Sequence, residues 1–439
     1  MSRFRVDRRR GCRQKQAVVL VLASALALSA CSSSDPSPVA SGGSAAPVTL
    51  EVWSYGADGA QGGFKSLTQG LDSAFEKANP GVTVDHKYYP LDGYDTKIQA
   101  AVAASNAPDV AFQYDDRSWE STVALDSLLT GELKDQVSIA TGAVQQAKDG
   151  QIHAIPWGIY AGVFLYNKSL FTKAGLDPEK PPTTMDEFLS TCDKFNAAGI
   201  VPFDYGFKDQ YTLMRLVASI GAQTGTDFPG WGQRKTPFTV DWYKSATADL
   251  LTMVKRGCFG PEPWLKDSNV VADPNFRSGK TAITYPINTF TVSDYEKTIG
   301  KGNLGLFGQP LATGSTAASP TIEADPANAM QIFKQSEHQD AAWKYIAFYL
   351  SAESQTKAWD AIAQIPNNRA TKASTTEPVF TKLLALASAP GVQPGYWPVG
   401  NVEQDAYGRA TVGVTSGQTS VDDFLAAMQK VRDKQAAGG

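Results

Sequence analysis

Three histidines are the first side chains to weigh for chemistry. His86, His153 and His338 stand far apart, and none has a Cys or carboxylate neighbour at the spacing of metal ligands. No Gly-x-Ser-x-Gly turn is present to expose a serine nucleophile. Ser278-Gly279-Lys280-Thr281 imitates the end of a phosphate loop. However, Pro274 occupies the position of its first Gly, and the segment precedes a strand instead of following one. These features point away from an enzyme, a metal site or a cofactor. Because two carboxylates suffice for glycoside hydrolysis, a secreted glycoside hydrolase is the enzymatic alternative. A different chemistry is better supplied. Aromatic faces cover the apolar face of a sugar ring, and planar polar side chains bind its hydroxyls in pairs. Trp53 lies near the end of a first strand, Asp115-Asp116-Arg117 follows a buried strand at the tip where α/β folds bind ligands, and Tyr396-Trp397-Pro398 lies in a Gly/Pro-rich loop.

The elements that must position these residues follow from periodicity. Val48–Tyr55 alternates as a strand. Leu67, Leu71, Ala74, Phe75 and Ala78 repeat at helical spacing until Pro80-Gly81. Gly81–Tyr88 alternates again, 94–105 reads as a helix, and 108–112 is a short buried strand. This order implies parallel strands in an α/β layer. Further on, Thr184 and Glu187 form a capping box for a helix striped by Phe188, Cys192 and Phe195. Helices are expected near Tyr211–Ile220, over Asp241–Lys255, Ala341–Leu350 and Val421–Lys434. The stretch 300–328, rich in Gly, Ser, Thr and Ala, reads as strands and loops.

The 439 residues suit two lobes rather than one core. Residues 1–16 carry seven basic side chains and one acid, and the apolar run 17–30 is too short to span a bilayer, so 1–30 reads as an export signal. Leu28-Ser29-Ala30-Cys31 resembles the lipobox of bacterial lipoproteins. The resemblance implies cleavage before Cys31, lipid on its thiol and a membrane anchor on the extracytoplasmic face. Residues 31–47 then serve as the lipidated Cys and a flexible Ser/Pro/Gly/Ala tether. Without the signal, 33 basic residues face 43 acidic ones, a net charge of about −10 that argues against nucleic acid and anionic lipid as partners. Cys192 and Cys258 remain. Outside the cytoplasm an even pair suggests a disulfide; the alternative is two separate buried thiols.

Read in order, several segments resemble one family. They are Leu50-Glu51-Val52-Trp53, Phe75 to Gly81, Ala107-Pro108-Asp109-Val110, Gly150 to Pro156, Tyr166-Asn167-Lys168-Ser169-Leu170-Phe171, Phe276 to Ile283, and Ala341 to Ile346. The chain is similar over nearly all of 48–439 to family-1 extracellular solute-binding proteins of the carbohydrate type. The resemblance implies a two-lobed, periplasmic-binding-protein-like α/β fold (type II) with a ligand cleft between the lobes. It places the first lobe at 48–157 and 289–333 and the second at 158–288 and 334–439. The implied function is that of a monomeric substrate-binding lipoprotein of an ABC importer, which takes a mono- or oligosaccharide and passes it to the permease subunits. The alternative is another small solute such as a polyol, amino acid or polyamine. In such relatives an Asp-Arg pair matches Asp116 and Arg117, and a ligand-contacting acid matches Tyr160. Asp209 matches a hydroxyl acceptor, Tyr211 a stacking platform and Trp397 a late stacking position. One departure follows the strand before Tyr285, where relatives carry Trp: the stacking surface is either missing here or moved to Tyr285 or Phe290.

Overall fold

In the computed structural model, the alternation of Val48–Tyr55 becomes strand β1. Residues 46–437 are described, except 56–62, 91–92, 114–117, 138–148, 204, 208–209, 225–234, 267–272, 286–289, 318–319, 321, 373–377, 388–392 and 395–400. β1 turns Leu50 and Val52 to one face and Trp53 and Tyr55 to the other, as a period of two requires. The first pair shares a core with Leu71 and Phe75 of α1 (Phe64–Ala78). The second pair shares one with Tyr94 and Ile98 of α2 (Tyr94–Ala103). β2 (Val82–Tyr89) and β3 (Val110–Gln113) both run parallel to β1.

After α3 (Gly131–Gln136), β4 (Ile155–Gly162) leads through Val163 into β5 (Phe164–Asn167). The Asn167 side chain then accepts from the backbone N–H groups of Ser169 and Leu170 and starts α4 (Lys168–Lys173). α5 (Met185–Ala197) starts on the capping box of Thr184 and Glu187. β6 (Val201–Phe203), α6 (Gln210–Ala222), α7 (Asp241–Lys255), α8 (Asp273–Arg277), β7 (Thr281–Thr284), α9 (Phe290–Ile299) and β8 (Leu304–Phe307) follow. Four of these strands form a second sheet in the order β6-β7-β5-β8. Its core stacks Phe164 on Phe307 with centroids 5.0 Å apart. Cys192 of α5 is bonded to Cys258, and the Cys258 carbonyl accepts from the Phe203 N–H of β6.

β9 (Glu323–Ile332) re-enters the first sheet, pairing antiparallel with β3 on one side and β4 on the other. α10 (Gln339–Leu350) and α11 (Ala352–Ile362) precede β10 (Ile365–Pro366), which borders β4. Then come α12 (Pro378–Ala387), β11 (Gln393–Pro394) beside β9, α13 (Asn401–Thr415) and α14 (Val421–Ala437). The larger sheet runs β10-β4-β9-β3-β1-β2, with β11 paired to β9. The chain therefore passes between the lobes along β4–β5, back along β9, and again through α11, β10 and α12.

Two lobe boundaries differ from the sequence expectation. The resemblance implies that 289–333 belongs to the first lobe as a block. Yet α9 packs with the second sheet, and β8 hydrogen-bonds β5 from Phe164↔Phe307 to Asn167↔Leu304, so the return begins only with β9. The resemblance implies that 334–439 belongs to the second lobe, but Tyr345, Ile346 and Tyr349 of α10 are buried in the first-lobe core. Both helices are amphipathic, and amphipathicity does not say which sheet a helix covers. Among the described residues no helix is long and apolar enough to cross a membrane.

Candidate functional site

In open α/β sheets ligands bind beyond the carboxyl ends of the strands. In the first lobe that edge is marked by the last residues of β1 and β3, Tyr55 and Gln113. The β1–β3 register, Val52↔Val110 and Trp53↔Ala111, brings these two residues side by side. Gln113 pairs across to Ala329 of β9, next to Asn328. The Tyr55 hydroxyl donates to Asn328 Oδ1. The Tyr160 hydroxyl, from β4, reaches the same oxygen at 3.5 Å. Tyr94, the first residue of α2, meets the Tyr55 ring edge-on at 5.6 Å.

All five side chains are buried, yet three polar atoms of the group have no partner among the described residues: Tyr94 Oη, Gln113 Oε1 and Asn328 Nδ2. A buried polar group without a hydrogen bond is rare because its lost hydration is not replaced. The three atoms are a hydroxyl, an acceptor and a donor, gathered around one tyrosine at one sheet edge. Burial holds the Tyr94 phenol well above its ordinary pKa, so it stays neutral and keeps its proton to donate.

The second lobe presents aromatics at the matching edge. β6 and β7 run parallel. Tyr205 follows β6, and Tyr285 follows β7 with its ring 4.7 Å from Phe164. Tyr211 lies in the first turn of α6.

Trp53 is held by its surroundings. It is 6 % exposed, its indole N–H donates to Glu51 Oε1 at 2.6 Å, Tyr89 meets its ring at 5.0 Å and Lys97 Nζ lies 5.2 Å from it. The ring packs beneath α2, in the same cluster as Tyr55 and Tyr94. Tyr160 joins the buried polar group and Tyr285 the second-lobe edge. Asp116, Arg117, Asp209, Trp397 and Cys31 lie outside the described residues. Tyr55, Tyr94, Gln113 and Asn328 are not among the residues expected from the sequence. Tyr55 and Gln113 carry a signal as strand-end residues; Asn328 carries no local signal.

The histidines also have more company than their spacing suggested. His86 Nδ1 donates to Asp72 Oδ2 at 2.7 Å, and its Nε2 lies 3.0 Å from Ser54 Oγ. This Ser–His–Asp order resembles that of a nucleophilic triad. Ser54, however, is 0 % exposed on the α1 face of β1, and the His86 ring is stacked on Tyr88 at 4.3 Å. Asp72 Oδ1 is occupied by the hydroxyls of Tyr345 and Tyr349 at 2.6 and 2.7 Å. The network ties α1, β1, β2 and α10 together, and no substrate carbonyl can reach Ser54 Oγ through this packing. His153 is likewise buried against Asp149 at 2.9 Å.

Residues 58–356, more than half of the chain, match the family described as bacterial extracellular solute-binding protein. The chain belongs to this family. Solved structures share the fold of this solute-binding protein. One, from work on xylan utilization by Caldanaerobius polysaccharolyticus, has a TM-score of 0.73 at 22% identity and covers 87% of this chain and 99% of that one. The GacH receptor of Streptomyces glaucescens, solved unliganded and with acarbose, has a TM-score of 0.69 at 20% identity over 88% and 98% of the two chains. Among curated relatives, the sn-glycerol-3-phosphate-binding periplasmic protein of Salmonella typhimurium is 30% identical over 145 residues, which is 30% of this chain and 32% of the relative.

Proposed function

We propose that this solute-binding protein captures a neutral sugar, a mono- or oligosaccharide, between its lobes and delivers it to the permease of an ATP-driven importer. The observation that carries this reading is the buried group at the first-lobe edge. A ligand that satisfies it must accept from Asn328 Nδ2 and donate to Gln113 Oε1. A hydroxyl does both; a carboxylate or fully ionised phosphate only accepts and would face the Gln113 oxygen unfavourably. The xylan context of one structural neighbour and the acarbose complex of another support the same class.

Within this reading Tyr160 lies beside the ligand hydroxyls and Tyr285 with Tyr211 borders the second-lobe face. Asp116, Arg117 and Asp209 take further hydroxyls, and Trp397 stacks on the ring. The lobes close over the ligand by bending along their shared strands. Cys31 carries the lipid that keeps the protein at the outer face of the cell membrane, where it works as a monomer.

The test is thermal melting against xylotriose, maltotriose, chitotriose, stachyose, tagatose, sn-glycerol 3-phosphate and amino acids. A ligand that binds only the folded state, at 100 times its Kd, adds about 2.7 kcal/mol. Stabilisation by one sugar group supports the reading and names the substrate. Stabilisation by sn-glycerol 3-phosphate or amino acids alone overturns the sugar assignment and leaves the family intact.

A further inference from the structure

Asn328 stands where β9 changes partners. On its C-terminal side, Ala329–Ile332 lie between β3 and β4 inside the first-lobe sheet, with Ala329 and Met330 paired on both sides. On its N-terminal side, Glu323–Ala327 run along β4 without β3, joined only by β11 at Glu323 and Ala324. Asn328 itself has φ of +51° within this strand. L-residues seldom adopt that left-handed conformation, and Asn tolerates it better than most. Such a residue inside a strand is a local break in the pleat at the point where the crossing ribbon leaves its lobe.

The side chain spans the same break. Oδ1 accepts from Tyr55, fixed at the end of β1, and from Tyr160 on the crossing strand, whose backbone pairs with Asp325 beyond the break. Nδ2 is buried and has no acceptor among the described residues. One amide plane therefore links the first lobe to the crossing ribbon and holds a donor in reserve.

We propose that Asn328 couples ligand capture to lobe closure: its Nδ2 donates to a ligand hydroxyl, and its left-handed backbone is the pivot on which the crossing ribbon bends. A ligand oxygen on Nδ2 fixes the amide plane, and so fixes the distance between Tyr55 and Tyr160. The ligand half of this inference rests on the sugar reading above; the pivot half does not.

Asn328→Gly separates the two halves, because glycine keeps the left-handed backbone and removes the amide. The full chain with this change should bind the sugar selected by the melting panel at least tenfold more weakly. Even without ligand, backbone hydrogen exchange over 155–162 and 323–332 should rise severalfold, since the ribbon loses its tie to Tyr55. In the wild-type protein, saturating sugar should slow exchange over 323–332. Wild-type affinity in Asn328→Gly, or exchange over 323–332 that ignores bound sugar, overturns the proposal. If no sugar in the panel binds the wild type, the sugar reading falls separately. The ligand-free exchange then decides whether the Asn328 amide ties the ribbon to its lobe, and unchanged rates in Asn328→Gly refute that coupling. Should the variant fail to fold, the wild-type exchange experiment decides alone.

Discussion

Replacing Tyr94 by Phe should move stability and affinity in opposite directions. The substitution removes one buried oxygen that has no partner among the described residues and keeps the ring that meets Tyr55 at 5.6 Å. An unsatisfied buried hydroxyl costs the folded state about 1–3 kcal/mol of lost hydration. Phe is spared that cost, so the ligand-free variant should melt at or above the wild-type temperature. In the complex the wild-type hydroxyl is paired and the variant's hydrogen bond is absent. The loss of binding is therefore the net hydrogen bond, about 0.5–1.5 kcal/mol, together with the relief already taken in the free state, about 1–3 kcal/mol, which is tenfold or more in Kd. Calorimetric melting without ligand and isothermal titration with the sugar selected by the panel measure both quantities on one preparation. A variant that melts lower and binds as tightly as wild type would show that the Tyr94 hydroxyl is ordinary packing, and the argument from unpaired polar atoms would fail with it.

Four further outcomes follow from other parts of the structure. Substituting Cys192 and Cys258 together by Ala opens a loop with a sequence separation of 66, worth about 4 kcal/mol of unfolded-state entropy; guanidinium unfolding should show a loss of 2 kcal/mol or more, and a loss under 1 would refute it. Asp72→Ala strands the buried Tyr345 and Tyr349 hydroxyls and His86 Nδ1, and should cost at least about 3 kcal/mol in the same assay. The backbone N–H of Thr183, then its hydroxyl, hold the Glu187 carboxyl below its ordinary range. A carboxyl whose folded pKa is depressed adds stability above its unfolded pKa and loses it as pH falls through the folded value. Glu187→Gln should therefore be less stable than wild type at pH 7, by about 1 kcal/mol or less, and the gap should close below about pH 4.5 in melting scans. Gly305→Ala drives a Cβ into Cζ of the buried Tyr166 ring, and melting should report a loss of about 1–3 kcal/mol.

How much of this was legible depends on the length scale of each signal. The alternation of Val48–Tyr55, the helical stripe of Leu67, Leu71 and Phe75, and the Thr184–Glu187 box are local, and each forms the element it announces. The family followed from several such segments in order. What stayed hidden was pairing at a distance. Nothing near Phe307 says that it will stack on Phe164, and nothing near Tyr345 says that Asp72 will receive its hydroxyl 273 positions away. Trp53 shows the same limit inside one strand: its alternation sets its face, but the partners it meets there, Tyr94 and Ile98, lie on α2. Asn328 was unreadable because its importance lies in a backbone angle and two remote phenols.

The threading of β9 between β3 and β4 sets an order of events during synthesis. Both neighbours emerge early, but the strand that joins them runs from Glu323 to Ile332, roughly 160 residues after Gly162. At about 5–20 residues per second, this leaves on the order of 8–30 seconds in which β3 and β4 have no partner between them. The first lobe cannot complete its sheet in that interval, and α10, which covers it, follows later still. A chain arranged this way holds its larger sheet open until most of its length has been made, because its own topology withholds a central strand of that sheet.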